Sequence, residues 1–252
     1  MTSERLGWLF AVCMVVAFAA TPLARSAVFN VDTTVDDASL SGCDDTTPND
    51  CSLRGAIIKA NGLTEVVTIN VSAGTYLLSQ STPCFFRGNA IGPLYTTQAL
   101  CPVGTLNLIG VGANATIIDA NQPSGNIFVQ APVLLVATTA SVHIRGMTLR
   151  HGNYSAGGFE GTGGGINNAG TLVIEDAVVS DNFTSGAGGG IFNQRDLTIL
   201  RSKSRKIVVR LSTTTVILVR TARLSRARAR KPSGRTFALR AIAPLAVSMT
   251  LT

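Results

Sequence analysis

Few side chains in this 252-residue chain have the chemistry of an active site. There are two histidines, His143 and His151. The carboxylates that fall within or beside strand-like segments are Asp119, Glu160, Glu175, Asp176, Asp181 and Asp196. A carboxylate beside a histidine on a neighbouring segment is an acid/base pair in outline. His151 aligns with Asp181 across an offset of 30 residues, so those two are the pair to look for. Glu175 and Asp176 are adjacent and on one strand would face opposite sides. Arg145 and Arg150 read as exposed turn cations rather than substrate clamps. No nucleophile elbow, phosphate loop or metal-binding helix occurs. A solvated turn is therefore the favoured reading of these groups, and no residue is assigned a catalytic role.

The amino terminus reads as an export signal. Arg5 precedes an apolar run of 15 residues from Leu6 to Ala20, interrupted only by Gly7. That is short of the roughly 20 residues a stable membrane span needs and suits a cleaved signal peptide over 1–26, leaving no transmembrane anchor in the mature chain. Small residues before Ala27 place cleavage between 19 and 27. Export would make the chain secreted or cell-surface. Four cysteines follow the signal: Cys43, Cys51, Cys84 and Cys101. An even count in an exported chain points to disulfides. Of the three possible pairings, the local one, Cys43–Cys51 with Cys84–Cys101, is expected. Metal binding by these cysteines fails on spacing.

Residues 28–50 are polar and acidic, with seven Asp or Asn between Asp32 and Asp50. Calcium near Asp32, Asp36 and Asp44 is a conceivable use of so many oxygens, but the EF-hand order is missing, and a solvated loop around a disulfide is the plainer reading. Next, Leu53, Ala56, Ile57 and Ala60 fall at i, i+3, i+4 and i+7, which predicts a short helix. Ser52 is a suitable N-cap, and Asn61-Gly62 a suitable stop. So short a helix must dock its apolar face to persist.

What it docks on should be β-structure. Short apolar strands bounded by Gly, Asn or Pro run from Val66 to about residue 200. A repeat is written into them. Gly163-Gly164-Gly165-Ile166-Asn167-Asn168 recurs 25 residues later as Gly188-Gly189-Gly190-Ile191-Phe192-Asn193, and Leu172-Val173-Ile174 recurs as Leu197-Thr198-Ile199. Such a period, with three short strands per unit, predicts a right-handed parallel β-helix. Leu172 and Ile174 would stack under Leu197 and Ile199, and Asn168 with Asn193 would form an amide ladder. The expected organisation is a capping region over 27–65, coils over 66–200 and a separate tail over 201–252.

At this point the residues resemble a known bacterial pattern. Cys51-Ser52-Leu53-Arg54-Gly55-Ala56-Ile57 is similar to the CSLREA-type amino-terminal region of secreted bacterial proteins, as are Val31 to Asp37 and Ala73-Gly74-Thr75-Tyr76. The repeats resemble those of parallel β-helix proteins, including polymorphic outer-membrane-protein-like adhesins and the pectate-lyase-like fold. The resemblance covers about residues 28–200. It implies a surface or secreted solenoid, usually of unknown activity; the partners stay open, with surface glycans and host or cell-surface proteins as the candidates. The family pattern has Glu where this chain has Gly55. A Glu there would complete a capping box with Ser52, so Gly55→Glu is expected to stabilise the helix by about 1 kcal/mol.

Charge divides the chain. Residues 1–200 hold 8 Lys/Arg against 14 Asp/Glu; residues 201–252 hold 13 Lys/Arg and no acid. All but one of the glycines precede residue 201. The net charge of +7 therefore belongs to the tail and is no footprint of specific nucleic-acid binding. The change at 201 suggests a disordered or frameshifted segment. Shifted by one base, the codons from Lys203 permit Ile-Ala-Glu-Asn, which resembles Val179 to Asn182. Three functional readings follow: a non-enzymatic structural or adhesin-like protein, a polysaccharide-active enzyme, and a basic tail binding an anionic polymer or membrane.

Overall fold

Alternation of apolar and polar residues in short strands decides the architecture, because each strand can bury only one face. The computed structural model describes residues 26–84, 95–121, 131–154, 163–186 and 188–204, and beyond these the strand backbones at 207–210, 216–219, 227–230, 236–239 and 247–249. Glu160, the expected signal peptide and much of the tail lie outside the described residues.

The chain opens with β1 (Ala27–Val31), then α1 (Leu53–Asn61), β2 (Val67–Val71) and β3 (Gly74–Leu77). A hairpin follows, β4 (Thr82–Cys84) antiparallel to β5 (Tyr95–Thr97). Three turns of three strands come next. They are β6 (Thr105–Gly110), β7 (Thr116–Asp119) and β8 (Leu134–Val136); β9 (Ser141–Arg145), β10 (Thr148–Arg150) and β11 (Ile166–Asn168); and β12 (Thr171–Glu175), β13 (Val178–Ser180) and β14 (Ile191–Asn193). A further turn is β15 (Asp196–Leu200), β16 (Lys203–Ser204) and β17 (Ile207–Arg210). Each strand pairs in parallel with its equivalents one turn away, giving three sheets that run the length of the stack. Leu172 pairs with Val142 on one side and Leu197 on the other; Ile166 sits between Leu134 and Ile191. The protein is an all-β parallel β-helix.

Inside, the columns are apolar. Val67, Leu106, Val142, Leu172 and Leu197 form one, with Ile69, Leu108, Ile144, Ile174 and Ile199 beside it, all buried. Burying a side chain of this kind stabilises by about 1.5–3 kcal/mol. Asn168 and Asn193 are the polar exception. Asn168 Nδ2 donates to Asn193 Oδ1 at 2.5 Å and to the Asp196 carbonyl at 2.9 Å, while its own oxygen accepts from Gly170 N–H. The two amides are in register on β11 and β14 and fully buried. Gly163 and Gly188, at φ 76° and 73°, open the corresponding turns, where a side chain would be strained.

The first turn is closed by α1. Ser52 Oγ accepts from Gly55 N–H at 2.9 Å and donates to the Asp37 carbonyl. Leu53, Ala56, Ile57 and Ala60 are buried against the end of the stack. Here the capping expectation is overturned. A Cβ on Gly55 would lie 1.9 Å from the Leu40 carbonyl oxygen, so Gly55 is required by close approach of two backbones. A Glu at this position cannot be seated without moving the loop before the helix. Both disulfides are the local ones, Cys43–Cys51 and Cys84–Cys101.

The stack does not end at Leu200. β17 pairs in parallel with β14; β18 (Val216–Val219) pairs with β15, and β19 (Ala227–Arg230) with β17. β20 (Thr236–Leu239) and β21 (Val247–Met249) then add antiparallel, to β19 and β18. Beyond Ser202, where the tail is described, its backbone is strand.

Candidate functional site

Beside the coils, titratable groups gather into two clusters, one of a carboxylate, a histidine and an arginine and one of two carboxylates, a histidine and two arginines.

In the first cluster, Asp119 ends β7 and Arg150 ends β10, and the register sets them side by side. His151 follows in the left-handed region, φ 57°, which turns its ring back over the preceding coil. Arg150 Nε donates to Asp119 Oδ2 at 2.8 Å, and His151 Nδ1 lies 3.0 Å from both carboxylate oxygens. Asn121 N–H adds a third donor at 2.8 Å. Burial alone pushes the Asp119 carboxyl up, but these donors outweigh it and hold the group below the usual carboxylate range. An ionised carboxylate only accepts, so His151 donates from Nδ1 and keeps Nε2 as its basic nitrogen. The histidine side chain is 43% exposed and the aspartate 6%.

The second cluster lies on the first sheet. His143 Nε2 is 3.0 Å from Glu175 Oε2. Arg201 donates through Nε and Nη2 to the two oxygens of Asp176, at 2.7 and 2.8 Å, and through Nη2 to Glu175. Arg145 stands 3.6 Å from Asp176. The Arg201 guanidinium is the main cause holding both carboxyls below their ordinary range. The two carboxylates were expected on opposite faces. They share one guanidinium because Asp176 adopts φ 48° and leaves the strand, as Arg201 does at φ 45° one coil on.

The structure thus redistributes the sequence candidates. His151 meets Asp119 instead of Asp181, which is an exposed turn residue at φ 54°. Asp196 opens β15, and its backbone carbonyl serves the asparagine ladder. Arg145 and Arg150 are strand residues in ion pairs, not isolated turn cations. Arg201, read as the start of the tail, is the centre of the second cluster.

The acidic loop does not gather a calcium site from Asp32, Asp36 and Asp44. Asp32 accepts from Asn49 and Cys51 N–H. Asp44 accepts from the hydroxyl and N–H of Thr46 and from Thr47 N–H, which bring its pKa to about 2. Asp36 pairs with Arg54 Nε at 2.6 Å and also accepts from Ser79 and Gln80 N–H. Among the described residues no group of three His, Cys, Asp or Glu is placed to hold a metal ion.

Arg54 is the residue that sequence reasoning missed. It is 2% exposed, and besides Asp36 it donates to Thr82 Oγ1 and to the Gln98 and Ala99 carbonyls. One guanidinium therefore ties α1 to the acidic loop, to the start of β4 and to the segment just after β5. Its place in the CSLR stretch was the only available signal.

Chemically, both clusters are anchors for charge. Acid/base catalysis by paired carboxylates needs one group raised and held protonated near neutrality while its neighbour stays ionised. Asp119, Glu175 and Asp176 are all shifted downward.

No protein-family model matches the chain, and no curated protein sequence does. Among solved structures it is similar to pectin methylesterase PemA from Erwinia chrysanthemi, with 12% identity and a TM-score of 0.34 over 74% of this chain and 56% of that one. It is also similar to a pectin methylesterase crystallised with a hexasaccharide, with 10% identity and a TM-score of 0.33 over 76% and 57%. The chain thus spans a little over half the length of these structures. At such values the likeness carries nothing about activity, and the assignment of a parallel β-helix rests on the strand register.

Proposed function

We propose that this protein is an exported, non-enzymatic β-helix scaffold, structural or adhesin-like, which presents its sheet faces to surface glycans or cell-surface proteins. The observation that carries the reading is the state of its carboxylates. Asp119, Glu175 and Asp176 are each paired with an arginine and held below the ordinary carboxylate range, so they serve to brace neighbouring coils rather than to stand protonated as a general acid. Two disulfides support an oxidising, extracellular compartment. Among the described residues no helix is long and apolar enough to cross a membrane.

The test pairs two assays on the full chain. Binding to a glycan array and to intact cells is expected, together with no turnover of neutral or acidic polysaccharides, pectin included. Turnover abolished by Asp119→Asn or His151→Ala would replace this reading with a second one. That second reading is a polysaccharide-active enzyme, and the observation favouring it is the buried Asp119 behind an exposed imidazole, an arrangement that orients a general base.

A further inference from the structure

The turn after β13 is pinned to the coil below it. The register pairs Arg150 with Ser180, so residues 151–154 run beside 181–184 one coil on. Asn153 and Phe183 form a parallel bridge, Phe183 N–H donates to the Gly152 carbonyl at 2.8 Å, and Tyr154 N–H donates to the Phe183 carbonyl at 3.2 Å. Thr184 Oγ1 donates to the Tyr154 carbonyl at 2.6 Å. Asn182 uses both ends of its amide on the same neighbour, accepting from Gly152 N–H at 2.7 Å and donating to the Leu149 carbonyl at 3.1 Å. These bonds fix the turn before any ligand arrives, which lowers the ordering cost of binding. The side chains flanking Asn182 take no part in the pinning. Asp181 is exposed and, among the described residues, has no hydrogen bond or ion pair through its carboxylate. Asp119, Glu175 and Asp176, by contrast, are each held by an arginine. Phe183 is 40% exposed, the only aromatic among the exposed large hydrophobic side chains of the described residues. His151, the equivalent of Asp181 one coil back, shares its left-handed backbone and bonds Asp119 through Nδ1 alone, which leaves Nε2 open. A fixed turn therefore carries an unpaired carboxylate, an aromatic ring and an imidazole nitrogen on two coils about 4.8 Å apart.

We propose that Asp181, Phe183 and His151 form a binding site for a neutral sugar of a glycan chain. The proposal rests on the scaffold reading and deepens it by naming the place and the class of glycan. A carboxylate accepts from two sugar hydroxyls at once, and such charge-assisted bonds are the stronger kind. The C–H face of a sugar ring is apolar and packs on an aromatic side chain. The open imidazole nitrogen serves one further hydroxyl. An acidic sugar fits less well, because Asp181 repels its carboxylate and Arg150 is already paired with Asp119. A protein partner needs a broader surface than one exposed ring offers.

The experiment measures binding of the full chain to immobilised neutral polysaccharides (galactomannan, xyloglucan and dextran), with polygalacturonate and hyaluronate as the acidic comparison. Binding to at least one neutral chain, and weaker binding to both acidic ones, is expected. D181N should weaken it about tenfold, the worth of a hydrogen bond to a charged group. Asparagine tolerates the left-handed backbone as aspartate does, so this variant keeps the fold. F183A should weaken binding several-fold. E65Q and V111A remove an exposed carboxylate and an exposed apolar side chain elsewhere, and should bind as the parent does. Equal binding by the parent and the double variant D181N/F183A would overturn the site and leave the scaffold reading in place. An equal loss in E65Q would also overturn it, because net charge would then explain binding. Stronger binding to the acidic chains would overturn the neutral sugar as ligand. Binding to intact cells without binding to any of these glycans would overturn the site while the scaffold reading survives with a protein partner; loss of both would sink the two together.

Discussion

The two ends of the described coils face the same physical problem and meet it differently. At the amino-terminal end, α1 covers the open core, Ser52 satisfies the helix start, and Arg54 joins three segments through a buried ion pair. At the other end, β16 is the last strand of the second sheet among the described residues, one strand after Val179. There the inner column reads Tyr76, Ile118, Leu149, Val179 and then Ser204. Ser204 is 5% exposed, and its hydroxyl is buried without a hydrogen-bond partner. Ser202, two residues earlier, is equally buried but accepts from Ala177 N–H and donates to the Leu200 carbonyl. A polar group can thus be placed at the end of a β-helix at little cost when the neighbouring coil offers it partners. Arg54 and Ser202 meet that condition and Ser204 does not.

Breaking the well-satisfied end should have the largest effect. Arg54→Ala leaves the Asp36 carboxylate buried without its cation, and removing one partner of a buried pair costs about 3–5 kcal/mol. A denaturant melt should show this as a lower midpoint with an unchanged slope. If the variant melts within about 1 kcal/mol of the parent, the guanidinium is not what joins the cap to the coils. Gly55→Ala comes next, with a loss of about 1–3 kcal/mol from forcing a methyl against the Leu40 carbonyl. Stabilisation instead would restore the view of Gly55 as a mere helix weakness.

These residues also mark the limits of what the sequence reveals. The helix over 53–61 was legible because N-cap, periodicity and stop agree within ten residues. The coils were legible because a 25-residue repeat shows which residues stack, and stacking follows from it directly. Arg54 was not legible. An arginine is ordinarily exposed, and its partner Asp36 lies 18 residues earlier in a loop without a pattern. The Asp119–His151 contact was hidden for a related reason: the register partner of Asp119 is Arg150, and only the left-handed backbone at His151 brings its ring back to Asp119, so alignment by offset selected Asp181. Arg201 was hidden by composition, since it opens a basic segment while structurally it directly follows β15, one coil on from Glu175.

In the middle of the stack, Asn168→Ala should cost about 1–3 kcal/mol, because Asn193 Oδ1 and the Asp196 carbonyl lose their shared donor inside the coil. The double variant with Asn193→Ala should cost less than the two single effects added together. Strict additivity in that cycle would show that the amides do not act as a ladder. The opposite sign is expected where the core rule fails. Ser204→Ala removes an unpartnered buried hydroxyl with little change in volume, and should stabilise by about 1 kcal/mol. A loss of stability would mean that the hydroxyl has a partner in solution.

The smallest effect concerns pH, and it separates the braced coils from the two ends. Asp119 is held below its ordinary range by Asn121 N–H, Arg150 and His151, despite the opposing effect of burial. In the unfolded chain an aspartate titrates near about 3.9. A group whose pKa is depressed on folding contributes its stability fully above the unfolded value and loses it as pH falls through the folded value. The contribution from Asp119 should therefore be constant through neutrality and decline only below about pH 4. Glu175, Asp176 and Asp44 are shifted in the same direction, so the acid limb of the parent is a composite. Asp119→Asn removes one component while keeping the shape of the side chain. Its stability should lie below that of the parent at neutral pH, with the gap closing as the pH falls below about 4. Denaturant midpoints measured for both proteins across the acid range test this directly. Curves that stay parallel to the lowest pH would mean that the Arg150 and His151 contacts do not favour the ionised carboxylate, and the first cluster would then lose its role as a brace between coils.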